Sequence, residues 1–412
     1  MKYDILKYNI ESLTIEINNG KILSVKKSQI EKKGARIFKN NKIFSGSFVG
    51  EIDDAALIKH VDENAKIGLD YQFEFPPIKE FSYENAKFKS LDIQTISEDL
   101  KEMEKALDPY RQKFIFNGTM KLSKVSKELK DSRGTKLVNN DISYDTWYTF
   151  KRVGSANLMD GYFAASGSKF DLLNSFKRIE PYLNVYDREV SIANGEYPLV
   201  FVDSDSSWYY KLLETFNAEK YFEGSCLYAG KMGEKIFSEK FSLYDETENR
   251  DHDIHIYFDD EGILREIPRL PLVENGVLKN VVADLRLSAK YKLAPTGNGK
   301  RAYNTSVATG FNHLRFQPGT KSFDTIIQSL DKCIVAFMAH GGDFTDKGEF
   351  STPIHLGFLV EQGKIIGRIP QVTVTTSLDK IFNHQIIDFT SDGFYPSDSN
   401  VNLFHKANIL NN

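Results

Sequence analysis

The chain has 412 residues, 41% of them apolar and 27% charged, with a formal net charge of −4. This length exceeds one compact core and predicts two or three domains, and the charge balance excludes a strongly basic nucleic-acid-binding surface. Its two cysteines, Cys226 and Cys333, exclude a disulfide framework and are expected to be buried thiols. No apolar run approaches the ~20 residues of a membrane helix, and residues 1–5 lack a signal-peptide core, so we expect a cytoplasmic protein.

The first part of the chain predicts strands joined by tight turns. Alternating apolar residues flank Asn18-Asn19-Gly20, and a second such pair flanks Asn40-Asn41. Both are expected to be hairpins, because asparagine and glycine tolerate positive φ. Residues 53–67 and 95–107 have the apolar spacing of helices, and residues 71–90, which include two prolines, are expected to be an irregular connection.

Further along, residues 113–153 predict a strand meander with a turn at 132–134, and residues 161–180 lead into a helix. Residues 197–202 predict a buried strand, and residues 203–206 are expected to cap the helix that follows. The C-terminal part alternates again over 354–360, 364–369 and 372–376. Many strands with few long helices indicate an α+β fold of mixed and antiparallel sheets, with a β-rich C-terminal region.

The densest block of signals covers residues 258–301. Asp259-Asp260-Glu261-Gly262 predicts a turn, and Asn275-Gly276 predicts a two-residue hairpin that pairs residues 265–274 with 277–285. A short helix is expected over residues 283–293, and the Pro-Thr-Gly-Asn-Gly loop at 295–299 ends it.

An ordered series of motifs resembles the TldD/PmbA family, the modulators of DNA gyrase. The series comprises Gly233-Glu234 with Phe237-Ser238, the turn and hairpin of 258–301, Phe316-Gln317-Pro318-Gly319, Gly342-Asp343-Phe344, and Glu361-Gln362-Gly363-Lys364. The resemblance implies two domains, an N-terminal α+β domain over 1–190 and a β-rich C-terminal domain over 191–412.

In the active branch of that family, a helix carries H-E-x-x-x-H, whose histidines bind zinc and whose glutamate acts as general base. Counted back without gaps from Gly233-Glu234, these six positions fall on residues 209–214, which read Tyr-Tyr-Lys-Leu-Leu-Glu. The family's third ligand, a cysteine near the C-terminus, is also missing after Asp388. The chain therefore resembles the PmbA/TldE branch, which lacks the zinc motif.

That resemblance implies a non-catalytic subunit without a cofactor of its own. Zinc is expected in a TldD-type partner, and the complex would process or degrade unfolded peptides, including leader peptides and antitoxins. The chain is expected to form a heteromer or a homodimer and to contact neither nucleic acid nor membrane. The alternatives are an autonomous hydrolase with an unrecognised site and a homodimeric peptide-binding protein.

A few residues remain as candidates for other chemistry. His252, His255 and Glu214 are candidate metal ligands, although residues 251–261 are hydrophilic enough to form a solvated surface loop and Glu214 is expected to be exposed. Cys226, with His313 or His340 as a distant base, is a weak nucleophile candidate. The candidates for peptide binding lie in two loops and are Thr296, Gly297, Asn298, Gly342 and Asp343.

Overall fold

The computed structural model describes residues 1–70, 74–85, 93–167, 171–202, 209–249, 254–265, 267–396 and 401–411. The observed fold is α+β, as the sequence predicts, with two large sheets and several smaller ones among the described residues. None of the helices within these ranges is long and apolar enough to cross a bilayer.

The first sheet is formed by the N-terminal part of the chain. Its strands are β1 (Lys2–Asn18), β2 (Lys21–Lys39), β3 (Lys42–Val49), β4 (Leu69–Asp70), β5 (Glu80–Glu84), β6 (Phe114–Asp131), β7 (Lys136–Arg152) and β8 (Gly161–Gly167). They follow the order β4-β3-β2-β1-β6-β7-β5, and β8 also pairs with β7. Both predicted hairpins are confirmed, since Asn19, Gly20, Asn40 and Asn41 all have positive φ.

The expected irregular connection over residues 71–90 is wrong where β5 forms. This strand pairs in parallel with β7, and its aromatic residues Phe81 and Tyr83 both contact Tyr257, at ring-centroid distances of 5.3 and 4.8 Å. The alternation of aromatic and polar residues is that of a half-buried strand. Residues 71–73 and 86–90 lie outside the described residues.

The helices within the described ranges are α1 (Asp54–Glu63), α2 (Ile93–Leu107), α3 (Leu172–Asn184), α4 (Tyr210–Leu213), α5 (Ala218–Phe222), α6 (Leu285–Tyr291), α7 (Phe323–Ser329) and α8 (Leu378–Ile381). The first begins at Asp53, whose carboxylate accepts a hydrogen bond from the amide of Ala56 and so satisfies one of the free N–H groups of the first turn. Buried residues of α2 and α3 share one core with β1, β6 and β7. The capping residues expected at 203–206 lie outside the described residues.

The central part of the chain forms short strands. They are β9 (Gly195–Phe201), β10 (Leu243–Glu246), β11 (Glu248–Asn249), β12 (Ile254–His255), β13 (Arg269–Glu274), β14 (Val277–Leu278), β15 (Gly299–Lys300), β16 (Ala308–Thr309) and β17 (His313–Phe316). The Asn275-Gly276 hairpin is confirmed, with φ of 50° and 79°, but the pairing of 265–274 with 277–285 is wrong in extent. Only Val273 and Glu274 pair with β14, because Val282 turns away to pair with Asn217 beside α5.

The C-terminal part closes into a second large sheet. Its strands are β9 together with β18 (Cys333–Ala339), β19 (Asp343–Phe344), β20 (Glu349–Glu361), β21 (Lys364–Arg368), β22 (Val372–Ser377), β23 (Ile386–Phe389) and β24 (Leu403–Asn411). Since β18 pairs with both β9 and β20, the strands β18-β9-β24-β22-β20 form a closed ring around an apolar core. This arrangement confirms a β-rich C-terminal region.

One hydrophobic core joins the two large sheets. It combines Phe114, Phe150 and Phe176 from the N-terminal part with Phe358 and Phe404 from the ring. Residues on both sides of position 190 therefore bury one another, and the division into domains at 190/191 stays a prediction.

Candidate functional site

The apolar side of the segment from Tyr209 to Glu214 packs on a further cluster of buried residues, here called the C-terminal core, which includes Phe241, Phe316 and Phe382. Tyr209 and Leu212 are buried, and the ring of Tyr209 lies 5.5 Å from that of Phe316. Tyr210 faces outward, where its hydroxyl donates to Asp343 at 3.3 Å. The helix thus presents one tyrosine to the core and one to the surface.

Glu214 does not have the exposed environment that the sequence suggests, so that expectation is wrong. Its side chain is only 18% exposed, and the Lys211 ammonium lies 2.8 Å from its Oε2. The Lys220 ammonium donates to Oε1. Burial alone would raise the pKa of Glu214, but the hydrogen bonds from Lys211 and Lys220 hold it below its usual value.

This donor set does not fit a catalytic zinc. Such a site needs about three protein ligands and an open position for water, whereas this segment offers one carboxylate whose charge two ammonium groups already neutralise. Within the described ranges, no group of three or more histidine, cysteine, aspartate or glutamate side chains has the spacing to hold a metal ion.

His255 does not complete such a site with Glu214. His255 is half-buried in β12, where its ring lies 5.0 Å from Tyr83 and 5.4 Å from Tyr257. Its amide donates to Asp141, so its surroundings belong to the N-terminal sheet. His252 lies outside the described residues.

The expectation of a solvated loop is wrong for Asp259, Asp260 and Glu261, which are only 2–4% exposed. The Asp259 carboxylate accepts hydrogen bonds from the amides of Glu261, Ile263 and Gly299, and therefore fixes the turn around Gly262. Burial raises the pKa of Asp259 despite these bonds. The three carboxylates are structural groups of the interior.

Asp260 and Glu261 connect this turn to the N-terminal sheet. Asp260 lies 2.5 Å from the Lys127 ammonium, and Glu261 lies 3.3 Å from the Arg36 guanidinium and accepts from the amide of Leu285 at 2.7 Å. Burial raises the pKa of Glu261 to about 7, which Arg36 opposes. Burial would raise the pKa of Asp260, but Lys127, the amide of Arg301 and Lys300 together lower it below its usual value.

Asp4 completes this ionic network, which the sequence analysis missed. Its carboxylate lies 2.6 Å from Arg36 and 2.8 Å from Arg301, and the three side chains are only 2–3% exposed. Burial would raise the pKa of Asp4, but the two arginines lower it further than burial raises it. The network ties β1 and β2 to the loop that precedes β16, and sequence separations of up to 297 residues hide it from any local pattern.

The candidate nucleophile has no catalytic environment. Cys226 is half-buried rather than buried as expected, and burial raises its pKa, so the thiolate that would react is disfavoured. Cys333 is fully buried, as expected. His313 lies in β17, whereas His340 lies beyond the end of β18 and its carbonyl accepts from the ring of His355 at 2.9 Å.

The five candidate peptide-binding residues fall in two separate places. Asn298 is fully buried, and its amide group bonds Asp245, Arg265 and the carbonyl of Gly310. Gly297 adjoins it with φ of 70°, and Thr296 lines the large cleft described below. Gly342 directly precedes β19 and Asp343 is its first residue, where Asp343 accepts from the amide of Phe344 and from the hydroxyl of Tyr210.

A cleft of about 1150 Å³ opens beside the loop that carries Thr296. Its walls come from five stretches of chain, and the described lining residues are Pro76, Pro77, Lys79, Tyr221, Phe222, Gly224, Ala229, Gly230, Met232, Gly262, Ile263, Leu264, Arg265, Ile267, Leu270, Lys279, Asn280, Val281, Leu293, Ala294, Pro295 and Thr296. The lining is mainly apolar, and Phe222 and Ile267 are 46% and 65% exposed. Its volume exceeds the roughly 300–1,000 Å³ of small-molecule sites, so it has room for a segment of polypeptide.

Comparison with known proteins places these features in a family. Residues 194–400 match the family model described as PmbA/TldA metallopeptidase C-terminal domain. A metalloprotease from Methanothermobacter thermautotrophicus is 28% identical over 38% of this chain and 34% of its own length. A metalloprotease PmbA homolog from Buchnera aphidicola is 24% identical over 47% of this chain and 41% of its own length. These matches thus span less than half of each curated relative.

The whole fold also has a counterpart of known structure. The crystal structure of TldE from Thermococcus kodakarensis superposes with a TM-score of 0.86, covering 100% of this chain and 97% of that one. Sequence identity in that superposition is 19%, so the likeness concerns the fold.

Proposed function

The chain belongs to the TldD/PmbA family of metallopeptidases, and on that premise we propose that it is a zinc-free, PmbA/TldE-like subunit of a peptidase complex. Its partner in this proposal is a TldD-type subunit that supplies zinc and the catalytic base. The complex acts on unfolded peptides, by removing leader segments or degrading antitoxin-type substrates.

The observation that carries the proposal is the neutralised carboxylate of Glu214. The ammonium groups of Lys211 and Lys220 lie against its two oxygens, where a metal ion would lie if this carboxylate were a ligand. The first histidine position of the family motif is Tyr209, and the position of the catalytic base is Tyr210. Neither tyrosine supplies the neutral imidazole that zinc prefers, and Tyr209 is packed in the core. In this proposal the segment packs in the fold as a structural element and supplies neither the zinc ligands nor the general base of a metallopeptidase.

The peptide-handling part of the proposal rests on the cleft. An apolar cleft of about 1150 Å³ is built largely from loops beside the C-terminal core. Apolar walls with a few polar groups suit a peptide whose side chains are not sequestered in a fold of its own. The relatives that match in sequence are named metalloproteases, which supports a peptide as the substrate class.

The test is coexpression with a TldD-type protein, followed by size-exclusion chromatography and elemental analysis of both the complex and the isolated chain. We expect a stable heteromer, stoichiometric zinc only when the partner is present, and chelator-sensitive cleavage of an unfolded peptide only by the complex. The proposal would be refuted if the chain remained monomeric in the presence of every such partner.

The alternatives give different results in the same experiment. An autonomous hydrolase would cleave the peptide as the isolated chain. A homodimeric peptide-binding protein would bind the peptide tightly without turnover and would form no complex with the TldD-type protein.

A further inference from the structure

The N-terminal half of β2, from Lys21 to Ile30, is an open strand edge. β1 pairs with β2 along its whole length, but β3 pairs with it only from Lys32 to Lys39. The amide of Gly50 bonds the carbonyl of Glu31 and closes the edge there. From Lys21 to Ile30, no other strand of the described residues pairs with the outer side of β2.

This edge also exposes apolar side chains. Ile22, Leu23, Val25 and Ile30 are 59%, 67%, 58% and 39% exposed. Val25 lies opposite Ile15 of β1, which is buried, so it shares the face of the sheet that carries the main core. An open edge with exposed apolar residues is a template for an added strand, which would bond through the main chain and cover the side chains.

The positive charge of this edge favours an added strand that carries acidic residues. Lys21, Lys26 and Lys27 are exposed, and this stretch contains no acidic residue; Glu31, which follows it, is paired with Lys7 and Lys33. A second copy of β2 would bring lysines against lysines, which is the usual protection of an edge against self-association. An acidic strand, in contrast, would be attracted.

The length of the edge favours a peptide over a whole subunit. Roughly ten residues span about 33 Å, and an added strand with a face about 10 Å wide would bury roughly 700 Å² in total. A stable interface between two folded proteins buries about 1,600 Å². A single extended segment is therefore an adequate occupant, and a folded subunit would need further contacts.

We propose that the edge of β2 from Lys21 to Ile30 binds an extended polypeptide segment in which acidic residues alternate with apolar ones. The added strand pairs with the outer main-chain groups of β2. Its apolar side chains cover Ile22 and Val25, which lie opposite Ile17 and Ile15 on the face of the main core, and its acidic side chains face Lys21 and Lys26 on the other face. This inference rests on the proposed function, in which the protein handles unfolded peptides, and it assigns a sequence preference to that role.

The experiment measures fluorescence anisotropy of labelled ten-residue peptides with the full chain at low salt and at 0.15 M salt. The probes are an alternating valine–glutamate peptide, its valine–lysine counterpart, and the valine–glutamate peptide N-methylated at alternate residues. We expect the acidic peptide to bind at least about tenfold more tightly than the other two, because the lysine version is repelled and the methylated version lacks main-chain donors.

Charge reversal of the edge supplies the matched variant. Lys26→Glu/Lys27→Glu alters two exposed side chains and is expected to reverse the preference between the acidic and the lysine peptide. Lys177→Glu/Lys364→Glu changes the net charge equally at two exposed lysines away from β2 and should leave the preference as it is. A circular dichroism spectrum equal to that of wild type verifies the fold of each variant.

Three results would overturn the inference. These are no binding of any peptide by wild type, equal binding of the N-methylated probe, and equal effects of the two charge reversals. If peptides do not bind but Lys26→Glu/Lys27→Glu prevents assembly with a TldD-type partner, the edge is a subunit contact. That outcome refutes peptide binding at β2 and leaves the proposed function standing.

Discussion

Replacing Asp4 by asparagine should destabilise the protein more than any surface substitution, because it removes the shared anion of two buried arginines. Asp4 lies 2.6 Å from Arg36 and 2.8 Å from Arg301, and the change leaves both guanidinium groups without it. Removing one partner from a buried ion pair costs about 3–5 kcal/mol. With an unfolding entropy of about 2.1 cal/mol/K per residue, this cost lowers the melting temperature by about 4–6 °C if the whole chain unfolds together.

Differential scanning calorimetry at pH 7 measures the shift, and Glu239→Gln is the control. Glu239 is paired with Lys235, but its side chain is 76% exposed, so its loss should produce no measurable change. Because the arginines lower the pKa of Asp4 further than burial raises it, Asp4 stays ionised above its unfolded pKa. The deficit of Asp4→Asn should therefore persist from pH 5 to pH 8. Equal melting temperatures for Asp4→Asn and the control would refute the importance of this network.

Three further predictions concern the turn carboxylates, a hairpin and the Tyr209–Glu214 segment. Burial raises the pKa of Glu261 to about 7 in the folded protein. Between the ordinary pKa of a glutamate and pH 7, the folded state therefore binds more protons than the unfolded state. Stability should fall as pH rises through that window, and Glu261→Gln should flatten the profile in thermal melts at pH 5–8. Gly276→Ala should cost more than about 1 kcal/mol in urea titrations, because φ is 79° and a Cβ would lie 2.2 Å from a main-chain carbonyl, whereas Gly134→Ala, with a positive φ but open space, should cost less. Lys211→Ala/Lys220→Ala should still bind no stoichiometric zinc by elemental analysis, because one freed carboxylate is not a zinc site.

The local parts of the fold could be predicted because their causes are local. The turns at Asn19-Gly20 and Asn275-Gly276 follow from residues that tolerate positive φ, and the cap at Asp53 follows from a carboxylate placed before a helical pattern. The extent of strands was harder to predict. The pairing after Asn275-Gly276 ends at Leu278, because Val282 pairs with Asn217 beside α5. No local sequence pattern indicates that contact.

The environments of charged residues could not be predicted, because partners distant in sequence decide them. Three consecutive acidic residues at 259–261 have the pattern of a solvated turn, yet Lys127 and Arg36 of the N-terminal sheet lie against two of them. In each case the residue type gives the charge, and only the tertiary structure gives the counter-charge.

The same reasoning explains why the missing zinc motif would not return by a single substitution. By the gap-free count from Gly233-Glu234, one histidine position is Tyr209, whose ring is buried against Phe316, and the other is Glu214, whose carboxylate is ion-paired with two lysines. A histidine at 209 would put an imidazole in place of a packed phenol and leave a void in the apolar core. A histidine at 214 would face Lys211 and Lys220 without a counter-charge. Restoring a metal site therefore requires the core and the two lysines to change together, which is why we regard this segment as a structural element and look for catalysis in a partner.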